Sequence, residues 1–274
     1  MFRLSASSLF NSARSTTFAT TLALLAAGAA GCAAYTAPGG AADMAVMGVE
    51  PQLVADRASQ TDYAMQEKFD RKPLARFPTA VALARVQASG YRSRTAGSHG
   101  GGAYSVVTTR DVETDAQVER LAKLPMVNGI APINRILLPP MLKSDLELRE
   151  AAATLQADVL VIYTLDTNFY VRDMAKPLSV VSLGLSPNQQ ARVTTTASAV
   201  VMDTRNGYVY GLAEASDSYN RLASAWTNDD AVDAARLKTE AAAFEKLIGE
   251  LEKTWTTVVA RYAKPTAHNP TVGG

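Results

Sequence analysis

Cysteine and histidine, which carry much of the nucleophilic and metal chemistry of proteins, are scarce in this chain of 274 residues. Cys32 is its single cysteine, and His99 and His268 are its two histidines. One cysteine excludes an internal disulfide and any cysteine-based zinc cluster. Two histidines this far apart in the chain leave little for imidazole chemistry. We therefore predict no catalytic, cofactor-binding or metal-binding residues.

A glycine-rich string around His99 comes closest to a catalytic motif. The residues from Ser98 to Gly102 read Ser-His-Gly-Gly-Gly, which is similar to the oxyanion-hole loop of some lipases. That chemistry also needs a serine in a Gly-x-Ser-x-Gly turn, and the sequence contains none. The favoured interpretation of the string is a mobile surface loop. A lipid-tethered hydrolase that uses His99 is the alternative.

Carboxylates form two groups that could bind a ligand. One group opens the last predicted helix, where acidic residues interact favourably with the helix dipole, so capping is the favoured explanation. The other follows a buried strand, a place where α/β folds often hold their sites, but a solvated loop is favoured there. The first group is Asp229, Asp230 and Asp233, and the second is Asp166 and Asp173, with Asn168 and Tyr170 between them.

The first 31 residues have the features of a secretory signal peptide. Arg3 and Arg14 are their only charged side chains, and an apolar stretch of 13 residues runs from Phe18 to Ala30. A helix that spans a membrane needs roughly 20 residues. Cys32 follows small residues, as does the lipidated cysteine of bacterial lipoproteins, and we predict lipidation at Cys32. The alternative is an ordinary signal cleavage that leaves a free thiol.

Four regions follow from this interpretation. Residues 1–31 are the signal peptide, and residues 32–76 are the lipidated Cys32 with a flexible tether rich in small residues. Residues 77–263 are one α/β domain, and residues 264–274 are a disordered tail. Ala33 after the cysteine favours the outer membrane, with the domain facing the periplasm. The membrane is thus one partner, through the lipid on Cys32.

Composition predicts a globular domain without a bulk electrostatic attraction for nucleic acid. Hydrophobic residues make up 47% of the chain and charged residues 19%, which is too apolar for a disordered chain. Lys and Arg number 27 against 26 Asp and Glu, a formal net charge of +1. We therefore predict no nucleic-acid partner.

The first half of the domain alternates strands and helices. A capping box of Ser144 and Glu147 opens a helix that ends near Gln156, and the apolar run Asp158–Leu165 after it is typical of a strand buried on both faces. The preceding predicted elements are a helix within Ser59–Phe69, a strand Thr79–Ala88, a loop Arg92–Gly102, a strand Tyr104–Thr109, a helix Asp111–Leu124 capped by Thr114 or Asp115, and a β-like run Gly129–Leu138.

The second half predicts antiparallel strands and then a long helix. The strands are Leu178–Leu185, Ala191–Met202 and Tyr208–Ala215, with turns at Ser186–Gln190 and Asp203–Gly207 and an extra segment Asp217–Thr227. A half-buried sheet is favoured over strands that cross a bilayer. The helix runs from Asn228 or Asp229 to Tyr262, with a buried stripe at Phe244, Leu247, Leu251, Trp255 and Val258. The fold class is therefore α/β (α+β), one mixed sheet with an antiparallel C-terminal section packed by helices.

Two passages resemble an α/β superfamily that contains CsgG, LpoB and the N-terminal domain of TolB. One is the helix and strand of Leu148–Leu165, and the other is Ala197–Tyr210, a strand, an Asp-Thr-x-x-Gly turn and a returning strand. The resemblance spans residues 77–262. It departs from the family pattern at Tyr163 and Thr164, where a glycine often follows the central strand.

The resemblance implies a lipoprotein of the cell envelope that acts through contacts and is not an enzyme. Members of the superfamily bind envelope proteins or assemble into secretion complexes. We accordingly expect a binding or assembly module with envelope proteins as partners. A subunit of an oligomeric secretion complex is an alternative, and a homo-oligomer is compatible with both.

Overall fold

The computed structural model of the chain describes residues 37–44, 61–173, 189–222 and 229–263. Several predicted features lie outside the described residues. They are Cys32, His268, the predicted signal peptide, the predicted tail 264–274 and the predicted strand Leu178–Leu185. Among the described helices, none has the length and apolar character that a membrane crossing requires.

A central strand, β1 (Thr79–Ala88), organises the sheet and has the predicted bounds. It is buried at nearly every position because both faces are covered and both edges are paired. It runs parallel to β5 (Val127–Pro132) and β7 (Val159–Asp173) and antiparallel to β4 (Tyr104–Val107). The α/β prediction is confirmed, since the sheet mixes parallel and antiparallel pairs.

The string around His99 is not a plain loop. It contains two short strands, β2 (Ser98–His99) and β3 (Gly101–Gly102). β2 pairs with β4 at one edge of the main sheet, and β3 pairs with β6 (Met141–Leu142) in a separate ladder. The predicted β-like run Gly129–Leu138 also divides, because β5 ends at Pro132 and a 3₁₀ turn follows at Arg135–Leu137.

Three long antiparallel strands, which we call the ribbon, complete the sheet. They are β7, β8 (Gln189–Asp203) and β9 (Val209–Leu222), and β9 is the edge strand. The second half of β7 pairs with the N-terminal half of β8. The prediction that this strand ends at Leu165 was therefore wrong. The predicted extra segment was also wrong up to Leu222, because Asp217–Leu222 pairs in register with Gln190–Thr195.

Four helices are described around the sheet: α1 (Thr61–Asp70), α2 (Asp115–Ala122), α3 (Leu146–Thr154) and α4 (Asp229–Tyr262). The predicted Thr114 cap of α2 is confirmed, and Gln117 completes a capping box. The predicted box before α3 is half formed. The Ser144 N–H donates to Glu147 Oε2 at 3.1 Å, whereas Asp145 occupies the cap position.

The sheet has a hydrophobic core on each face. α2 and α4 cover one face, where Val161 and Leu83 meet the apolar stripe of α4. α3 covers the other, where Leu148 packs with Leu160 and Ile162. The predicted burial of the α4 stripe is confirmed, because each of its five predicted residues is buried. That burial is what holds a 34-residue helix against the sheet.

Two stretches of the predicted tether lie against the domain. Residues 37–44 pair with the end of β1 through an antiparallel bridge between Ala41 and Gln87, and Ala42 is buried. The chain after α1 is held by Asp203, which accepts hydrogen bonds from the N–H groups of Leu74 and Ala75. Local composition predicts flexibility for both stretches, but backbone hydrogen bonds to distant residues hold them in place.

Candidate functional site

His99 lies on the short strand β2, which pairs with β4 at the edge of the main sheet. Its Nε2 is 3.3 Å from the carbonyl oxygen of Leu138, and among the described side chains no hydrogen bond joins it to a serine or a carboxylate. Gly102 has a φ of +97°, and a Cβ there would lie 2.5 Å from the Leu142 carbonyl oxygen. The close approach of β6 therefore accounts for this glycine without an oxyanion.

The predicted group of aspartates at the start of α4 separates in the structure. Asp230 is exposed and pairs with Arg94 at 3.0 Å. Asp233 is buried and accepts a 3.0 Å hydrogen bond from Arg236 Nε. The side chain of Asp229 lies outside the described residues. Asp233 therefore belongs to a cluster of charges that helix capping does not explain.

Six charged side chains, which we call the ionic cluster, lie buried between α4 and the sheet. Arg85 is at its centre, and one of its terminal nitrogens, Nη1, donates to Asp111 at 2.8 Å and Glu113 at 3.3 Å. The other, Nη2, lies 3.4 Å from Glu240 on α4. The members are Arg85, Asp111, Glu113, Asp233, Arg236 and Glu240.

Arg236 forms the second half of the ionic cluster. Its side chain is 1% exposed and donates to Glu240 at 2.8 Å as well as to Asp233. Its remaining nitrogen, Nη2, lies 3.3 Å from the Ser93 hydroxyl and 3.4 Å from the Thr95 hydroxyl. α4, β1 and the loops on either side of β4 are thus joined through two guanidinium groups.

The electrostatics keep both arginines charged. Burial by itself lowers the pKa of Arg85, but the carboxylates of Glu113 and Glu240 outweigh it, and the pKa is raised above its ordinary value. The same balance, with Glu240 and Asp233, raises the pKa of Arg236. Ion pairing therefore offsets the desolvation that burial imposes on these two groups.

Two tyrosines also contact the ionic cluster. The Tyr163 hydroxyl donates to Glu113 Oε1 at 2.7 Å, and the Tyr91 hydroxyl lies 3.4 Å from Arg85 Nη2. Burial raises the pKa of Tyr163 well above its usual range, and the charge of Glu113 raises it further. Burial is also the main reason that the pKa of Tyr91 is raised.

Sequence reasoning missed the ionic cluster. One signal was present, since Arg85 interrupts an otherwise apolar strand, and a charge that is buried there requires partners. The partners come from positions far away in the chain, so their identity could not be inferred from spacing. Within the described residues, no group of three or more His, Cys, Asp or Glu side chains is arranged to hold a metal ion.

A cavity of about 20 Å³ lies beneath α2 and α4. Its lining is apolar and includes Leu83, Leu121, Val161 and Trp255. A cavity needs a volume of ~10–15 Å³ to hold one water molecule. The cavity is therefore too small for a substrate, and it offers no polar group to orient one.

The described residues of the ribbon carry a polar surface that is connected across the strands. On the side of the ribbon that faces away from α4, the side chains of alternate residues form a surface that we call the open face. Past the level at which β1 ends, no described helix covers this surface. Cross-strand bonds connect it, such as Thr196 to Ser216 at 3.1 Å and Arg192 to Ser218 at 3.1 Å. Its members are Asp166, Asn168, Tyr170, Arg192, Thr194, Thr196, Ser198, Leu212, Glu214, Ser216, Ser218 and Asn220.

The second predicted acidic group falls on this ribbon and not in a loop. Asp166 accepts a 3.2 Å hydrogen bond from Asn168, and Tyr170 is 59% exposed. The side chain of Asp173 lies outside the described residues. The predicted loop was wrong because the pairing with β8 continues to Gln189, which keeps the chain extended.

The outer edge of β9 is partly protected. α4 reaches this edge at two carbonyl groups: the Thr254 hydroxyl donates to Leu212 at 3.2 Å and Lys246 donates to Ser216 at 3.0 Å. Among the described strands, none pairs with this edge. A lysine over an edge strand hinders pairing with another sheet. The open face is therefore a better candidate for contact with a partner than the edge.

The comparisons with known proteins give little. No family model matches the sequence, and no curated protein matches it. Among solved structures, the chain is similar to protein XCC0632 from Xanthomonas campestris, of the family DUF330, with a TM-score of 0.32 and 11% identity over 69% of this chain and 90% of that chain. A similarity of this size carries no argument. The resemblance to CsgG, LpoB and TolB stays a prediction.

Proposed function

We propose that this protein is an outer-membrane lipoprotein, facing the periplasm, that binds other envelope proteins and is not an enzyme. The observation that carries the proposal is the open face of the ribbon. It is a polar surface on three paired strands, and such a surface suits recognition of a partner through contacts. The envelope location rests on the sequence around Cys32.

The arrangement of charges supports a binding role. The buried carboxylates of the ionic cluster are engaged by Arg85 and Arg236, and α4 lies across them. An acid or base in catalysis must instead reach a bound substrate. His99, the residue of the hydrolase alternative, interacts with a backbone carbonyl. The described part of the molecule therefore supports contact more than chemistry.

The Cys32 anchor is tested by Cys32→Ser. One acyl chain binds a membrane marginally, whereas two or more hold a protein stably, since each buried methylene contributes roughly 0.8 kcal/mol. We expect the variant to lose labelling with radioactive palmitate and to move from the membrane to the soluble fraction. A variant that stays in the membrane as fully as wild type contradicts the anchor.

Partner binding is tested by a photo-cross-linking residue placed at Ser218 of the full-length, lipidated protein in cells. The matched control is Thr257, a small exposed hydroxyl residue on the surface of α4. We expect Ser218 to give discrete adducts with envelope proteins, identified by mass spectrometry, and Thr257 to give none of them. An adduct of two copies of the chain would show that the partner is a second copy, so that the protein forms a homo-oligomer. Identical adduct patterns at both positions contradict recognition by the open face.

A further inference from the structure

The direction in which the N-terminal chain enters the domain is set by the bridge between Ala41 and Gln87. That bridge is antiparallel to β1, and the Gly40 carbonyl accepts a 2.9 Å hydrogen bond from the Ala88 N–H. The docked segment, residues 37–44, therefore runs opposite to β1. Consequently Ala37 lies farther than Ala41 toward the end at which β1 finishes.

The ribbon extends past the rest of the sheet at this same end of the domain, where β1 finishes. The parallel register pairs Ala84 with Ile162, which places Ala88 level with Asp166. β7 continues from Asp166 to Asp173, seven more residues, or ~23 Å at ~3.3 Å per residue. Contacts at Thr164 confirm the position of the docked segment, since the Ala42 N–H donates to the Thr164 hydroxyl at 3.1 Å.

The length of chain between Cys32 and the docked segment limits how far the membrane can be. Ala37, where the docked segment begins, is five residues after Cys32, and five extended residues span at most ~18 Å. If the opposite end of the sheet faced the membrane, the segment between Cys32 and the docked segment would have to run back along the length of β1. From Ala88 to Thr79 is nine residues, or ~30 Å. The available chain is too short for that arrangement.

We infer that the end of the domain carrying Tyr170 and Arg192 faces the lipid bilayer, and that these two side chains contact its headgroups. The inference rests on the proposed acylation of Cys32. Tyr170 and Arg192 are both exposed and lie directly opposite each other on β7 and β8. Tyrosine, with an apolar ring and a polar hydroxyl, is enriched at membrane interfaces, and arginine extends its charge to the headgroups. The partners of the open face are then proteins in or on the same membrane.

The test uses single labels on the full-length, lipidated protein. Because acylation consumes the sulfur of Cys32, an introduced cysteine is the only free thiol. Tyr170→Cys reports the ribbon end, and Lys253→Cys, 73% exposed, is the matched control on α4. Lys238 lies over the ring of Tyr219 near the level of Tyr170, so Lys253, fifteen residues later, is ~22 Å away along the helix.

Each variant carries the same fluorophore in vesicles of phosphatidylethanolamine and phosphatidylglycerol with nitroxide-labelled headgroups. We expect severalfold stronger quenching at residue 170 than at residue 253. Asn168→Cys, on the same face, repeats the measurement if the first variant folds poorly. Equal quenching, or stronger quenching at residue 253, overturns the orientation. Absence of palmitate labelling together with failure to float with vesicles overturns the anchor itself, which is a distinct result.

Discussion

The Tyr210 hydroxyl donates a 2.7 Å hydrogen bond to Asp203 Oδ2, and the same oxygen accepts the N–H groups of Leu74 and Ala75 at 2.6 Å each. Asp203 ends β8 and is 0% exposed. The turn after it, with Gly207 at a φ of +70°, brings Tyr210 back beside it. One carboxylate thus holds the strand turn and the chain after α1 together.

Asp203→Ala should lower the free energy of unfolding by about 3 kcal/mol, because it leaves buried donors unpaired at ~1–3 kcal/mol each. Tyr210→Phe removes the bond to Asp203 and the 3.1 Å bond from the Ala75 N–H, but that N–H keeps Asp203 as its acceptor. It should therefore cost only about 1 kcal/mol. Urea unfolding measures both. Limited trypsin digestion should cut faster after Arg76, which follows the anchored residues, in Asp203→Ala than in Tyr210→Phe. Equal losses in the two variants would show that Asp203 does not anchor the backbone of Leu74 and Ala75.

Arg236→Ala should destabilise the protein by about 3–5 kcal/mol, because it leaves the carboxylates of the ionic cluster buried without their partner. Lys253→Ala is the control on the same helix, since the pair of Lys253 with Glu250 is largely exposed. An exposed pair contributes less than about 1 kcal/mol. Chemical denaturation of both variants gives the comparison. A cost for Arg236→Ala as small as that of the control would contradict the burial of its charge.

Stability should fall as the pH rises above about 10, the ordinary tyrosine pKa. Above that pH the unfolded chain loses the Tyr163 proton, whereas burial and then Glu113 keep the pKa raised in the folded state. The unfolded state then binds fewer protons, so its free energy falls relative to that of the folded state. Tyr163→Phe should reduce the slope by up to ~1.4 kcal/mol per pH unit. Denaturation between about pH 9 and pH 11 tests this, and an unchanged slope would be the contrary result.

Gly102→Ala should cost at least about 2 kcal/mol, because a side chain is strained in this conformation. Its φ is +97°, and the new Cβ would lie 2.5 Å from the carbonyl oxygen of Leu142. Gly129→Ala is the control, because its Cβ would meet no atom within 4 Å and its φ is not in the left-handed region. That variant should stay within about 0.5 kcal/mol of wild type. Thermal unfolding of the two variants shows whether β3 and β6 approach as closely as described.

Local sequence patterns were enough for the elements whose signal is periodic or depends on a cap. The strand Thr79–Ala88 has its predicted bounds, the Thr114 cap opens α2, and the predicted stripe of α4 is buried. These features depend on residues within a few positions of one another, where side-chain spacing and backbone hydrogen bonding determine the conformation. The acylation of Cys32, which is likewise a local pattern, stays a prediction.

The extent of the ribbon could not be predicted from such patterns. β7 continues past Leu165, where the apolar run ends and polar residues are mixed in, because β8 supplies partners for its backbone groups as far as Asp173. The same holds for Asp217–Leu222 on β9. Strand propensity depends on the pairing available, and that pairing is settled only when the three strands meet.

The chain by itself determined its fold class, the Thr114 cap of α2 and the apolar stripe of α4, and it placed one cysteine behind a short apolar segment. Only the tertiary structure decided that Arg85 meets Glu240 across 155 positions of sequence, and that Ala42 binds Thr164 across 122. Propensity and periodicity act over a few residues. A buried charge or an unpaired backbone N–H or C=O group finds its partner on a distant segment. The packing of the sheet decides which segments come within hydrogen-bond distance.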